Sequence, residues 1–175
     1  MDYAIVLYFN DESEAKFNVL IEQVARKTNN YMIDNKIPPH ITISMFSTSD
    51  INKAEHVVSS HIHEFKELTQ CELLWVSIGA FVPQVLFAAP IMNQQLINAC
   101  EMINRFLEPE IDSLNRYYQF NSWVPHTTLA TKMTKDELIC AVEVASLKFT
   151  PLSGYVNRIA LARCNPYKEL RVWKL

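Results

Sequence analysis

Pro39-His40-Ile41-Thr42 and Pro125-His126-Thr127-Thr128 share the pattern Pro-His-x-Thr and stand 86 positions apart, almost half of the 175-residue chain. Asp50 and Asp136 follow the two histidines at the same offset of ten. The order of structural signals around each copy also recurs. Before the first, the β-branched and aromatic run Tyr3 to Phe9 reads as a strand. Phe17, Leu20, Ile21 and Val24 then fall at helical spacing, with Asp11 or Ser13 able to cap. A polar linker with Asn29-Asn30 leads to a strand from His40 to Phe46. Ser49 can cap the next helix, whose Ile51, Ala54, Val58, Ile62 and Phe65 keep one apolar face. Two strands follow, about Glu72 to Ala80 and Val85 to Ala89.

The second half repeats this order. Leu96, Cys100, Ile103 and Leu107 mark a helix, and a linker with Asn115 and Asn121 leads to a strand from His126 to Thr131. Thr134 and Glu137 form a capping-box pair ahead of Leu138, Ala141, Val142 and Ala145. Strands at about Tyr155 to Arg163 and Glu169 to Lys174 close the chain. A repeat that matches in motif and in element order predicts two similar lobes, the first and second halves, facing each other within one domain over residues 1–175.

Composition narrows the function classes. Hydrophobic residues make up 49% and charged residues 20%, enough apolar surface for a sizeable core. The two glycines, Gly79 and Gly154, lie 75 positions apart, so neither a dinucleotide fingerprint nor a P-loop is present. Phosphate chemistry here has to use side chains. A net charge of −3 argues against a long-duplex nucleic-acid binder but leaves room for a local anion pocket. Cys71, Cys100, Cys140 and Cys164 are too widely spaced for a zinc or redox motif and read as small core residues. Met1 to Asn10 has no basic leader, and the apolar stretch Leu73 to Ile91 is broken by Pro83 and Pro90. A cytoplasmic monomer without a membrane span is expected.

In a strand, alternate side chains share a face. His40, Thr42 and Ser44 are expected on one side, with Ile41, Ile43 and Met45 on the other; His126, Thr128 and Ala130 share a face in the second copy. A pseudo-twofold relation between lobes would bring both His-Thr pairs to one groove. That set suits a phosphodiester. One imidazole takes a proton from the attacking oxygen, and the other gives one to the leaving oxygen. The threonine hydroxyls donate to the non-bridging oxygens, where charge accumulates. No metal or other cofactor is needed, and no acidic cluster is present to hold a metal. His56, His61 and His63 lack the three- or four-residue spacing of a helical metal site and are read as solvent-facing or flanking the apolar stripe.

The paired motifs resemble those of the two-histidine phosphoesterase superfamily, which includes the 2′-5′ RNA ligase-like proteins and cyclic phosphodiesterases. The similarity runs over the whole chain, including Ile78 to Phe87 and the ending Tyr167 to Leu175. It implies an α+β, bilobal fold, with antiparallel sheets lining a central groove, helices outside and terminal strands exchanged between lobes. It implies opening of a 2′,3′-cyclic phosphate on a nucleotide or RNA terminus. The alternatives are 2′-5′ cleavage or ligation at the same site, or a non-catalytic module that binds nucleotide or RNA. By the same resemblance His40 and His126 are the acid/base pair, His40 the acid and His126 the base in ring opening, and Thr42 and Thr128 bind phosphate. Many relatives carry Arg just after the second motif, where this chain has Thr131, and Pro38-Pro39 stands where a basic residue is common. Both departures favour a small or terminal substrate. Phe46, Tyr8 and Phe9 are candidates to stack on a base, and Arg158 or Arg163 to line the groove, at most one of the two because they face opposite ways. Trp75, Trp123 and Trp173 are assigned to the core.

Overall fold

The structure, a computed structural model, describes residues 1–119 and 121–175. It is an α+β fold in which every strand pairing is antiparallel. In chain order come β1 (Asp2–Phe9), α1 (Asp11–Ala25), α2 (Tyr31–Asp34), β2 (His40–Ser47) and α3 (Ile51–His61). A 3₁₀ helix (Ile62–Gln70) leads to β3 (Glu72–Phe81), β4 (Val85–Pro90) and α4 (Gln94–Leu107). The short β5 (Ser113–Leu114) precedes β6 (Thr127–Ala130), α5 (Lys135–Lys148), β7 (Leu152–Cys164) and β8 (Tyr167–Lys174). No described helix is long and apolar enough to cross a membrane.

The strands lie in the order β1-β2-β6-β4-β3-β7-β8, with β5 beside β2 and an additional β1–β7 pairing. β7 makes that closure possible. Its first residues, Leu152 to Tyr155, pair with β3, while Val156 to Arg163 pair with β1. A 13-residue strand therefore ties the halves together at one side, and the β2–β6 contact ties them at the other. Hairpin β3–β4 of the first half pairs with β6 of the second, and hairpin β7–β8 of the second half pairs with β1 of the first.

β1 is apolar on both faces because both are covered. Ile5, Leu7 and Phe9 enter the main core with Phe17, Leu20, Ile21 and Val24 of α1. Ala4, Val6 and Tyr8 form a separate small cluster with Ala160 on the opposite face. The helical stripes fall as the spacing predicts, with Leu96, Cys100, Ile103 and Leu107 buried on α4. On α5 the buried set is Leu138, Ala141 and Ala145, a narrow stripe that leaves Val142 exposed. The second apolar helix changes to 3₁₀ geometry at Ile62, which still buries Phe65.

Capping follows other residues than expected at two helices. Asp50, not Ser49, accepts the amide of Asn52 at 3.1 Å. At α1 neither Asp11 nor Ser13 caps. Ser13 Oγ donates to Asn10 Oδ1 at 2.7 Å and lies 3.1 Å from the Ser153 carbonyl, and the Tyr155 amide donates to Asn10 Oδ1 at 3.0 Å. These contacts lock the start of α1 onto β7. They also explain Gly154, since a Cβ there would overlap the Ser13 side chain. Gly154→Ala is expected to lower stability by about 1–3 kcal/mol through overpacking, read as a drop in the urea midpoint with unchanged slope.

Candidate active site

The two motifs meet in the sheet. Ile41 of β2 pairs with Thr127 of β6, and both side chains are fully buried on the core side. In an antiparallel register the flanking residues are then set: His40 lies beside Thr128, and Thr42 beside His126, on the other face. The histidines are diagonal neighbours, a relation that spans about 7–8 Å and leaves room for one tetrahedral anion between them. All four side chains line one groove of about 730 Å³.

Each histidine is held in the same way. Nδ1 of His40 lies 2.7 Å from the Pro38 carbonyl, and Nδ1 of His126 lies 2.7 Å from the Val124 carbonyl. A carbonyl only accepts, so Nδ1 carries the proton and donates, which leaves Nε2 as the free nitrogen of each ring. Each ring is also flanked by two aromatic ones. Tyr8 meets His40 edge-on and Tyr167 lies nearly parallel to it, both at 6.3 Å between centroids. Phe81 and Phe87 flank His126 at 4.9 and 5.2 Å. Gly79 opposite Phe87 leaves the space that this ring occupies. Burial lowers the pKa of both histidines. His40 drops to about 4, where the nearby His126 adds to the effect and the Pro38 carbonyl opposes it. For His126 the direction is the same, with the Val124 carbonyl opposing.

Two indole N–H groups fix the motif strands. Trp75 Nε1 donates to the buried Thr127 hydroxyl at 3.1 Å, and Trp123 Nε1 donates to the Thr42 carbonyl at 3.0 Å. Trp75 belongs wholly to the core, as expected; Trp123 is buried and also lines the groove. Trp173 is partly exposed, and its indole donates to Ser59. The wall around Trp123 is tied down by Asn104, whose Nδ2 donates to the Tyr118 carbonyl at 2.7 Å, and by the Asn115 amide, which donates to the Met45 carbonyl at 2.8 Å.

Several side-chain placements differ from simple strand alternation. β2 carries a bulge: Ile5 of β1 pairs with Ser44 but Val6 pairs with Thr42, so Ile43 has no partner there. Beyond it the faces exchange. Ser44 turns into the core, Met45 reaches the groove, and Phe46 is buried against Tyr3 instead of facing a ligand. Phe9 is a core residue as well, edge-on to Trp75. Tyr8 lies on the groove side but is buried, its hydroxyl hydrogen-bonded to that of Tyr167, so Tyr167 is the ring that faces the groove. Of the two arginines, Arg163 lines the groove; Arg158 sits over the Tyr8 ring and pairs with Glu14 at 2.6 Å. Met45, Tyr117, Tyr118, Trp123, Lys132 and Tyr167 complete walls that strand alternation did not reveal. The doublet Tyr117-Tyr118 inside a polar linker was the one visible sign of them.

The remaining histidines stay apart from the groove. His61 stacks on Phe106 at 3.7 Å and bonds Glu64. Among the described residues no three His, Cys, Asp or Glu side chains gather as a metal site.

Solved structures share this fold. E. coli LigT complexed with 3′-AMP superposes with a TM-score of 0.63 at 14% identity, over 99% of this chain and 97% of that one. TT0787 of Thermus thermophilus gives 0.61 at 15% identity, over 100% and 98%. A protein described only as a phosphoesterase gives 0.56 at 14% identity, over 99% and 97%. No curated protein sequence matches the chain. The family model of the 2′-5′ RNA ligase superfamily matches residues 10–166, a span that holds both His-x-Thr copies, and the chain belongs to that superfamily.

Proposed function

We propose that the protein is a metal-independent cyclic phosphodiesterase that opens a 2′,3′-cyclic phosphate on a nucleotide or RNA end. The observation that carries this reading is the diagonal pair of imidazoles with a threonine hydroxyl beside each, all lining one groove. A phosphate centred there has a free Nε2 on either side. One neutral imidazole takes a proton from water as its oxygen bonds to phosphorus. The ribose oxygen leaves as its bond to phosphorus breaks, and the protonated imidazole supplies its proton. Thr42 and Thr128 donate to the non-bridging oxygens, where negative charge rises in the transition state. Family likeness gives the acid role to His40 and the base role to His126, whereas the deeper depression of His40, to about 4, puts the proton of the free site on His126. Either assignment uses one protonated and one neutral ring.

The walls fit a nucleotide. Among the described residues the groove's lining contains no Asp or Glu, two cations (Lys132 and Arg163) and several aromatic rings, among them Tyr117, Tyr118 and Tyr167. Such rings stack on any base, at roughly 1–3 kcal/mol each. That LigT forms a complex with 3′-AMP supports a nucleotide ligand for this fold.

Replacing His40 or His126 by Ala is expected to lower kcat on a 2′,3′-cyclic nucleotide by about 10²-fold or more with the fold retained. Thr42→Val or Thr128→Val is expected to cost about 10–100-fold. A panel of cyclic mononucleotides, cyclic-ended oligoribonucleotides and 2′-5′ linked dimers, run with and without chelator, measures these effects. Wild-type rates in a single histidine variant, or loss of turnover in chelator, would overturn the reading.

The pH dependence follows from the two depressed histidines. Catalysis needs one imidazole protonated and one neutral. In the free site that state predominates above the His40 pKa of about 4 and below that of His126, itself under the usual 6.5. The kcat/KM profile is therefore expected to peak on the acid side of neutrality. It should fall as pH rises through the higher pKa and as pH drops through the lower. A bound phosphate anion favours the protonated ring, so the kcat profile should lie at higher pH than that of kcat/KM.

A further inference from the structure

Four cations elsewhere on the chain pair with carboxylates among the described residues. Lys16 pairs with Glu12 and Arg158 with Glu14, both at 2.6 Å, and Lys53 and Arg171 lie 3.9 and 4.0 Å from glutamates. Arg163 and Lys132 line the groove, and among the described residues no carboxylate pairs with either; of the two, Lys132 is the one seated on an aromatic ring. Its ammonium sits 4.2 Å from the centroid of the Tyr31 ring. The backbone at Lys132 has φ 57°, in the left-handed region that side-chain-bearing residues avoid. Its carbonyl accepts a hydrogen bond from Asn29 Nδ2 at 3.1 Å. Asn29, just before α2, and Tyr31, its first residue, belong to the first half, so a strained backbone in the second half is gripped by the first. The product is a cation held in place without being neutralised. A ring face attracts an ammonium while leaving N–H donors free on the other side.

Lys132 lies outside the motif strand: β6 ends at Ala130, and Lys132 follows four residues after Thr128. The reacting phosphorus already has two imidazoles and two hydroxyls. We propose that Lys132, seated on Tyr31, binds a second phosphate of the substrate, the one on the 5′ carbon of the nucleoside whose 2′,3′-cyclic phosphate is opened. This inference rests on the cyclic phosphodiesterase reading of the groove. The ribose carries its 5′ carbon on the side away from its 2′,3′ edge, so a bound nucleoside directs that phosphate away from the histidines. The phosphate is either a monoester on a free nucleotide or the diester that continues an RNA strand.

Three substrates with one base distinguish these cases: a 2′,3′-cyclic mononucleotide with a free 5′ hydroxyl, its 5′-phosphorylated form, and a dinucleotide ending in the cyclic phosphate. Wild-type protein is expected to show a lower KM for the latter two. Lys132→Met should raise KM for them by roughly tenfold more than for the 5′-hydroxyl form, the scale of one charge-assisted contact, and Lys132→Arg should restore most of the difference. The salt dependence of KM should weaken in the Met variant for those two substrates. Preference for the dinucleotide assigns the contact to a strand, and preference for the 5′-phosphate to a free nucleotide. An equal loss on all three substrates, or none on any, overturns the proposal. If wild-type protein turns over none of them, the cyclic phosphodiesterase reading falls. Equilibrium titration with a nucleoside 3′-phosphate and a nucleoside 3′,5′-bisphosphate then decides for Lys132. Tighter bisphosphate binding that Lys132→Met abolishes supports the contact, and equal binding of the two ligands overturns it.

Discussion

A single antiparallel contact, Ile41 against Thr127, carries the arrangement of the groove. Both side chains are buried on the core side, so their neighbours in each strand must face the other way. The register then leaves no freedom: each histidine stands beside the threonine of the other motif. A slip of one residue in either strand would turn that strand's His and Thr into the core. Trp75 guards against such a slip, since its indole satisfies the Thr127 hydroxyl, a buried polar group that would otherwise be costly. The long strand β7 supports the contact from the far side by pairing with both β1 and β3.

The same burial that stabilises the sheet sets the chemistry of the pair. Aromatic rings close around both imidazoles and make the charged form unfavourable, more so at His40. An anion bound between the rings would reverse this cost, because it would supply negative charge where water has been excluded. Backbone carbonyls at Pro38 and Val124 hold Nδ1–H in both rings, so the titrating nitrogen is Nε2. The two sides differ in their flanking rings, tyrosines at His40 and phenylalanines at His126. Duplicated geometry thus holds two imidazoles of unequal basicity.

Regular alternation predicts a face correctly only where the strand is regular. His40 and Thr42 precede the β2 bulge and lie where period-two reading puts them, whereas Phe46 lies beyond it and is turned inward. A bulge is an extra residue opposite a partner strand, and nothing local to Ile43-Ser44-Met45 marks it. Arg158 and Arg163 were separable by their opposite facing, but Glu14, which neutralises Arg158, is 144 residues away. Tyr117, Tyr118 and Lys132 sit in connecting segments, where no periodicity tells which way a side chain points. Only the turn conformation of Lys132 and the tethers from Asn29 and Asn104 decide that.

From its residues alone, this chain declares a duplicated Pro-His-x-Thr motif, an alternation of helices and strands in two matching halves, and the helical stripes that fill the core. These are local properties, dictated by side-chain polarity and by the periods of helix and strand. The tertiary structure decided which strands became neighbours, where the β2 faces exchange, which aromatic rings close on the histidines and which cation rests on Tyr31. Each of those depends on contacts between residues distant in the chain, and such contacts are chosen by the packing of the whole sheet.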